Sequence, residues 1–440
     1  MTELLPFLMF GALGVFIMFG YPVAFTLGGT ALIFGMLGGL GIDFFTLLPM
    51  RIWGRMTSST LVAVPLFIFM GVLLDRSGLA EDLLDTMTAL FGKLRGGMAT
   101  SVVVVGALLA ASTGIMGATV VTMGVISLPL MLKRGYQHEL AVGTICAAST
   151  LGQIIPPSIA LVILGDIMGV SVGELFMGAL IPGLLLTTLY ILFVLLYPLA
   201  RPGVAPGMSD AEMAKTGTKQ LFLQVVKSLL PPGGLIMAVL GSIFFGIASP
   251  TEAAAVGAAG AAVLTLLRGR MTLTVLREVM RTTTGFTSMA FIILLGATAF
   301  GLVFRGLGGD EVLRGFLLGV GGGTWGVLLL VMGILFILGF FLDFIEITFI
   351  VIPILAPIVA DLGINPLWFC ILIAINFQTS FLTPPFGFAL FYLKGVCPPE
   401  VTTAEIYRGI IPFVLIQIVG LGLVLGFPQL ATWLPGVLFK

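Results

Sequence analysis

Two stretches far apart in the chain carry the residue types from which a site for a small ion and a small anion can be built. The first is Ser149-Thr150-Leu151-Gly152-Gln153-Ile154-Ile155-Pro156-Pro157-Ser158, in the middle of an apolar segment running from about Gly135 to Met168. The second is Gln378-Thr379-Ser380-Phe381-Leu382-Thr383-Pro384-Pro385-Phe386-Gly387, within the apolar segment Trp368–Leu393. Two adjacent prolines remove two backbone donors and push the preceding residue out of the helical region, so a helix breaks at each. Glycines and hydroxyls beside the break leave bare oxygens of the kind a hard cation takes as ligands. A half-helix that starts at such a break offers free N–H groups and about half a positive charge, which suits a carboxylate. The chemistry this predicts is binding and release.

Further hydroxyls cluster at Ser112, Thr113, Thr119 and Thr348. Asp343 and Glu346 are the two acids at the centre of an otherwise apolar stretch, and an intramembrane carboxylate is a functional candidate because burying it unpaired is costly. Asp343 is read as an ion ligand. Glu346 is read either as a cap on its own half-helix or as a direct contact. No Lys or Arg stands obviously in mid-span, so an anionic substrate is expected to be held by helix ends, hydroxyls and a bound cation. Asp166, Glu174 and Glu252 fall near span ends and read as interfacial or capping. His138, beside Lys133 and Arg134, is given no role.

The elements that must position these residues are membrane helices. The chain has 440 residues, 59% of them apolar and only 9% charged, against roughly 25% charged in a soluble domain. Twenty basic and twenty acidic residues cancel, which argues against a nucleic-acid partner. Cys146, Cys370 and Cys397 are isolated and read as small core residues. The first apolar run lacks a basic start and a small-residue cleavage site, and reads as a first span.

The fold expected is an all-α polytopic membrane protein of about ten spans plus two re-entrant hairpins in an inverted repeat. Residues 99–132 hold two apolar halves of about 13 or 14 residues, each roughly 20 Å of helix and too short to cross a hydrocarbon core of about 30 Å. Their centre, Ser112 to Thr119, is rich in glycine and hydroxyls, and both flanks are basic. A hairpin that enters and leaves on one side satisfies these facts; the alternative is one long helix with a glycine kink. Residues 324–361 repeat the pattern around Gly339–Thr348. Pro156-Pro157 and Pro384-Pro385 are 228 residues apart, Pro129 and Pro357 share that offset, and Gly78-Leu79-Ala80-Glu81 matches Gly308-Gly309-Asp310-Glu311 nearly so. The expected division is 1–60 for N-terminal scaffold spans and a surface helix, and 61–200 for the first repeat, with hairpin 98–132 and broken helix 135–168. A cytoplasmic loop and central helical pair fill 201–284. The second repeat is 285–435, with hairpin 324–361 and broken helix 366–394. Basic residues at 201–227 and 268–281 put those loops in the cytoplasm and both termini outside, with Arg51 and Arg55 a discordant pair on the outer side. Two broken helices in corresponding places are the sequence mark of a secondary transporter's binding site.

Taken together, Ser112–Thr119, Gly152-Gln153-Ile154-Ile155-Pro156-Pro157-Ser158, Ser249-Pro250-Thr251-Glu252-Ala253-Ala254-Ala255 and Thr383-Pro384-Pro385-Phe386-Gly387 make nearly the whole chain resemble the large membrane subunit of tripartite ATP-independent periplasmic (TRAP) transporters. The resemblance implies an elevator-type ion-transporter fold and sodium-driven uptake of a small organic anion. It also implies a bacterial inner membrane, a small four-span membrane subunit as a separate chain, and a periplasmic substrate-binding protein. Sodium is the implied coupling ion, with no organic cofactor. Carried over residue by residue, it implies Ser112, Gly114, Gly117, Thr150, Gly152, Asp343, Thr348, Thr379 and Thr383 around sodium. Ser112, Thr113, Thr119, Gln153, Asp343, Glu346 and Thr383 are implied around the substrate. Phe341-Leu342-Asp343-Phe344-Ile345-Glu346 stands where sialate-type members have small residues, which points toward oxo or hydroxy monocarboxylic and related organic acids. The competing readings are a stand-alone sodium- or proton-coupled dicarboxylate carrier of related fold and, more distantly, an intramembrane enzyme using Asp343. The enzyme reading lacks a second central aspartate or a buried histidine.

Overall fold

The computed structural model describes residues 4–114, 116–208, 218–319 and 321–438, the side chains of 110, 112, 113 and 218–220 excepted. Every regular element among the described residues is a helix. Six are long and apolar enough to cross a bilayer, and nine segments qualify if each of three bent pairs counts as one. Several of the spans expected from sequence are shorter, such as α1 (Leu5–Met18) and α2 (Val23–Leu37).

The surface helix α3 (Leu48–Met56) leads into α4 (Ala63–Arg76) and α5 (Leu79–Phe91). Two antiparallel helices follow, α6 (Gly97–Thr113) and α7 (Met116–Lys133), and then α8 (His138–Thr150) and α9 (Ile159–Met168), separated by the first double-proline break. α10 (Val172–Ala200) runs back as one unbroken helix of 29 residues. The central pair is α11 (Thr218–Phe244) and α12 (Pro250–Leu267), and the second half runs α13 (Leu273–Gly306), α14 (Gly309–Gly319), α15 (Gly323–Leu338), α16 (Phe344–Ile350), α17 (Ile352–Asp361), α18 (Pro366–Leu382), α19 (Phe388–Val396), α20 (Thr403–Gly426) and α21 (Gln429–Leu438).

Two basic segments expected to be loop pass into helix before their ends. The Thr272 side chain accepts from the Val275 amide at 3.1 Å and starts α13 well before the apolar run, so Arg277 and Arg281 lie in its first turns. Lys227 likewise sits inside α11. Polar residues prolong α13 because the Thr272 side-chain cap satisfies one of its first amides whatever the hydropathy of the turn that follows.

Both ends of the α6–α7 pair are tied to the same loop. The Gly96 amide donates to the Ala205 carbonyl at 3.1 Å and the Gln137 amide to the Val204 carbonyl at 2.8 Å, while the Tyr136 hydroxyl accepts from the Met98 amide at 3.2 Å. His138 and Glu405 meet at 3.1 Å, bringing the start of α20 to this same level. The ends of the second pair gather elsewhere. Trp325 and Trp368 pack edge to face with centroids 6.2 Å apart, and the Trp368 indole N–H donates to the Val424 carbonyl at 2.8 Å, at the far end of α20. Since α20 begins beside one pair of ends and finishes beside the other, the two pairs open at opposite ends of the molecule.

The core sits where α8 and α18 cross this structure. Every residue of α18 from Leu367 to Leu382 is buried, as is α8 from Leu140 to Thr150. Helices apolar on all sides belong inside. The exposed leucines, phenylalanines and methionines lie mostly on the peripheral helices, among them Phe25, Phe222, Met237, Leu266 and Leu415.

Candidate functional site

The tips of the two helix pairs are built from tight backbone. Gly114, between α6 and α7, has φ +60°, and a Cβ there would lie 3.0 Å from the Ile159 side chain, at the restart of the first broken helix. The first tip therefore reaches the level of the first break, with α9 still continuing beyond it. In the second pair, Gly339 packs so closely on Ser380 of α18 that any side chain would strike the serine hydroxyl. Phe341 lies against Phe386 of the second break, centroids 5.1 Å apart. The arms also cross over: α7 packs on α19, the second half of the second broken helix, and α16 packs on α9, the second half of the first.

A cavity of about 470 Å³ lies between these parts. Met116, Gly117 and Ala118 line it from the first tip; Asp343, Phe344, Ile345 and Glu346 from the second; Phe388 and Tyr392 from α19; and Phe286, Met289 and Ile293 from one face of α13. Its volume falls in the range of small-molecule sites, with apolar walls and a few convergent polar groups. Among the described residues, no basic side chain lines it. Its charged groups are two carboxyls, held in a reciprocal cap. Asp343 is the N-cap of α16 and accepts from the Phe344 amide at 2.8 Å, while Glu346 accepts from the Asp343 amide at 3.0 Å. Both roles weighed for Glu346 from sequence, cap and cavity wall, coexist in this geometry.

Of the residues singled out in the sequence, Gly117, Asp343 and Glu346 line the cavity. A second set is buried in the packed helices around the breaks: Thr150, Gly152, Gln153, Thr348 and Thr379. Thr119 is buried on α7 and Thr383 is half-buried at the second break. The side chains of Ser112 and Thr113 lie outside the described residues.

The buried hydroxyls are oriented in one sense. Thr150 donates to the Ala147 carbonyl at 2.9 Å, Thr379 to Ile375 at 2.9 Å, and Thr383 to Thr379 at 2.6 Å. A hydroxyl whose hydrogen is spent on a carbonyl one turn back keeps oxygen lone pairs to offer. Beside them Gln153, through both its amide atoms, and Thr348, through its hydroxyl, are buried without a hydrogen-bond partner among the described residues. Leaving such groups unpaired costs about 1–3 kcal/mol each, and that cost falls away when a ligand engages them. Gln378 accepts from Gln417 at 3.0 Å, and Gln417 also donates to the Tyr190 hydroxyl at 2.6 Å, linking α18 to α20 and α10. Sequence reasoning missed Tyr190, Gln417, Tyr392 and the α13 face; the spacing of Phe286, Met289 and Ile293 at three and four residues was the one available signal for the last.

The family model for the tripartite ATP-independent periplasmic transporter, DctM component, matches residues 10–430. The chain belongs to that family. A C4-dicarboxylate TRAP transporter large permease protein, DctM, of Pseudomonas aeruginosa is 32% identical over 91% of this chain and 93% of that protein. An ectoine TRAP large permease of Halomonas elongata is 29% identical over the full length of both, and a sialic acid TRAP large permease of Vibrio cholerae is 30% identical over 97% of each. The fold resembles the crystal structure of the YdaH transporter of Alcanivorax borkumensis, with TM-score 0.65 and 15% identity over 96% of this chain and 99% of that one. Membership of the TRAP permeases makes this a membrane transport protein and not an enzyme.

Proposed function

We propose that this TRAP permease imports a small organic carboxylate by sodium-coupled, elevator-type alternating access, and that the cavity between the two tips is its substrate site. The observation that carries the reading is the charge of that cavity: two carboxyls and, among the described residues, no basic side chain. Two like charges about 4 Å apart repel by several kcal/mol at the effective dielectric of a protein surface, so a carboxylate cannot settle there uncompensated. A cation bound with it removes that penalty. The lone pairs of Thr150, Thr379 and Thr383, with the unpartnered Gln153 and Thr348, are the oxygens we assign to sodium. Ser112, Gly114, Gly117 and Gly152 belong to the same assignment through the family resemblance.

The opposed ends of the two helix pairs support reading them as re-entrant hairpins in an inverted repeat, the layout in which one midplane site is reached from two faces. The Gly96–Gln137–Val204 end carries Lys93, Arg95, Lys133, Arg134 and Arg201 close by in sequence, which supports assigning it to the cytoplasm of a bacterial inner membrane. A periplasmic binding protein delivering substrate at the other face, and a small four-span subunit beside this one, complete the proposal.

The test is uptake into proteoliposomes holding this permease, its small subunit and its binding protein, with C4-dicarboxylate and hydroxy- or oxo-acid substrates. Uptake is expected to require a sodium gradient and the binding protein. Full-rate uptake without sodium, driven instead by a proton gradient, would favour a proton-coupled carrier, and uptake by the chain alone would favour the stand-alone one.

A further inference from the structure

Arg51 and Arg55, the pair that disagreed with the charge asymmetry of the chain, are not scattered surface charges. With Arg305 they line a recess of about 280 Å³ between the surface helix α3, the last turns of α13, the end of α9 and the second helix pair. The recess lies at the opposite end of α13 from its basic start, beside Ile167, Ile350 and Pro353. Its floor along α13 is small: Ala297, Thr298 and Gly301 sit where larger residues would fill the space. Arg305 folds back along the helix, its Nε donating to the Gly301 carbonyl at 3.3 Å. Arg55 has Asp166 as a loose partner at 3.8 Å, while Asp166 also accepts from the Ser58 hydroxyl at 2.5 Å. Arg51 has no hydrogen-bond or ion-pair partner among the described residues. Three guanidinium groups gather here against two carboxylates, Asp166 by Arg55 and Asp310 near Arg305, and with Arg51 unpaired the site keeps an excess of forked donors.

The recess and the central cavity lie along neighbouring faces of α13. Ile293 lines the cavity and Leu294 the recess, and Arg305 stands about 18 Å further along the helix axis. A small apolar void lined by Leu61, Val64, Ile163, Leu294 and Phe349 adjoins the recess.

We infer that the Arg51–Arg55–Arg305 recess is a second, outer-face binding site for small carboxylates, separate from the central cavity. Resting as it does on the proposed import of an organic anion, it supplies what the cavity lacks. The cavity offers carboxyls and the recess offers guanidiniums, which match a carboxylate two hydrogen bonds at a time. Recognition there is of the carboxylate group itself and needs no sodium.

The test is equilibrium binding of radiolabelled succinate to the full chain in phosphatidylcholine nanodiscs, with and without sodium. Wild-type protein is expected to bind succinate without sodium, with Arg305→Gln weakening that component at least tenfold, Arg51→Gln three- to tenfold and Arg305→Lys less than Arg305→Gln. Circular dichroism and gel filtration confirm that the variants fold. Absence of the sodium-independent component, or its persistence unchanged in Arg51→Gln and Arg305→Gln, overturns the inference. Loss of only the sodium-dependent component would instead count against the central-cavity reading and leave the recess standing. Nanodiscs containing phosphatidylglycerol separate the two sources of an oxyanion. If that lipid abolishes succinate binding and copurifies with wild-type protein but not with Arg305→Gln, the recess is a lipid headgroup site and the carboxylate inference fails.

Discussion

Asp343 does two things at once, and substitution can separate them. As N-cap of α16 it holds the Phe344 amide; as a wall of the cavity it brings a negative charge next to the proposed substrate. Asparagine caps about as well as aspartate, whereas alanine costs about 1 kcal/mol. Asp343→Asn is therefore expected to leave thermal stability within about 1 kcal/mol of wild type while abolishing or uncoupling sodium-dependent uptake. If Asp343→Asn transports normally and only Asp343→Ala fails, the side chain is a cap and nothing more. The sequence marked Asp343 and Glu346 because two acids in an apolar run stand out. It could not mark Tyr392 or Met289, since an aromatic or apolar residue on a membrane helix looks the same whether it faces lipid, core or cavity. The three arginines of the recess were visible individually, but Arg51 and Arg305 are brought together only by the packing of α3 on α13.

At the scale of elements, the breaks were legible and the seams between them were not. Tandem prolines follow the ends of α8 and α18 within a few residues, but Pro231-Pro232 lie inside the continuous α11, so the glycines and hydroxyls beside the first two pairs are part of what marked them as breaks. Which arm packs on which half-helix depends on close approach, and glycine in an apolar run can serve many purposes. Gly339 has a specific one, letting the second tip seat on Ser380. Gly339→Val is expected to push the tip off α18 and reduce uptake at least tenfold, with the protein still present in the membrane at near-normal abundance. A paired Gly333→Val, at a position with open space around its Cα, is expected to transport close to normally. Equal transport by both variants would mean that contact of tip and break does not matter to the cycle. The early start of α13 shows the opposite limit. Hydropathy alone places a span's apolar core, whereas the Thr272 cap decides where the helix begins.

For the whole molecule, the account depends on two helix pairs entering from opposite faces so that their tips share one cavity. Charge asymmetry and the repeat of prolines pointed to that arrangement. The hydrogen bonds at Gly96, Gln137 and Trp368 put the open ends of the two pairs near opposite ends of α20. The direct measurement is side-specific labelling of single cysteines, in a background with Cys397→Ser, at the exposed ends of both pairs. Arg95→Cys and Lys133→Cys probe the first pair; Thr324→Cys and Asp361→Cys probe the second. A membrane-impermeant maleimide added to intact spheroplasts is expected to label Thr324→Cys and Asp361→Cys and to reach Arg95→Cys and Lys133→Cys only after the membrane is opened. If Arg95→Cys and Lys133→Cys are labelled from opposite sides, or if all four are labelled from the same side, the shared cavity is not a site reached alternately from two faces.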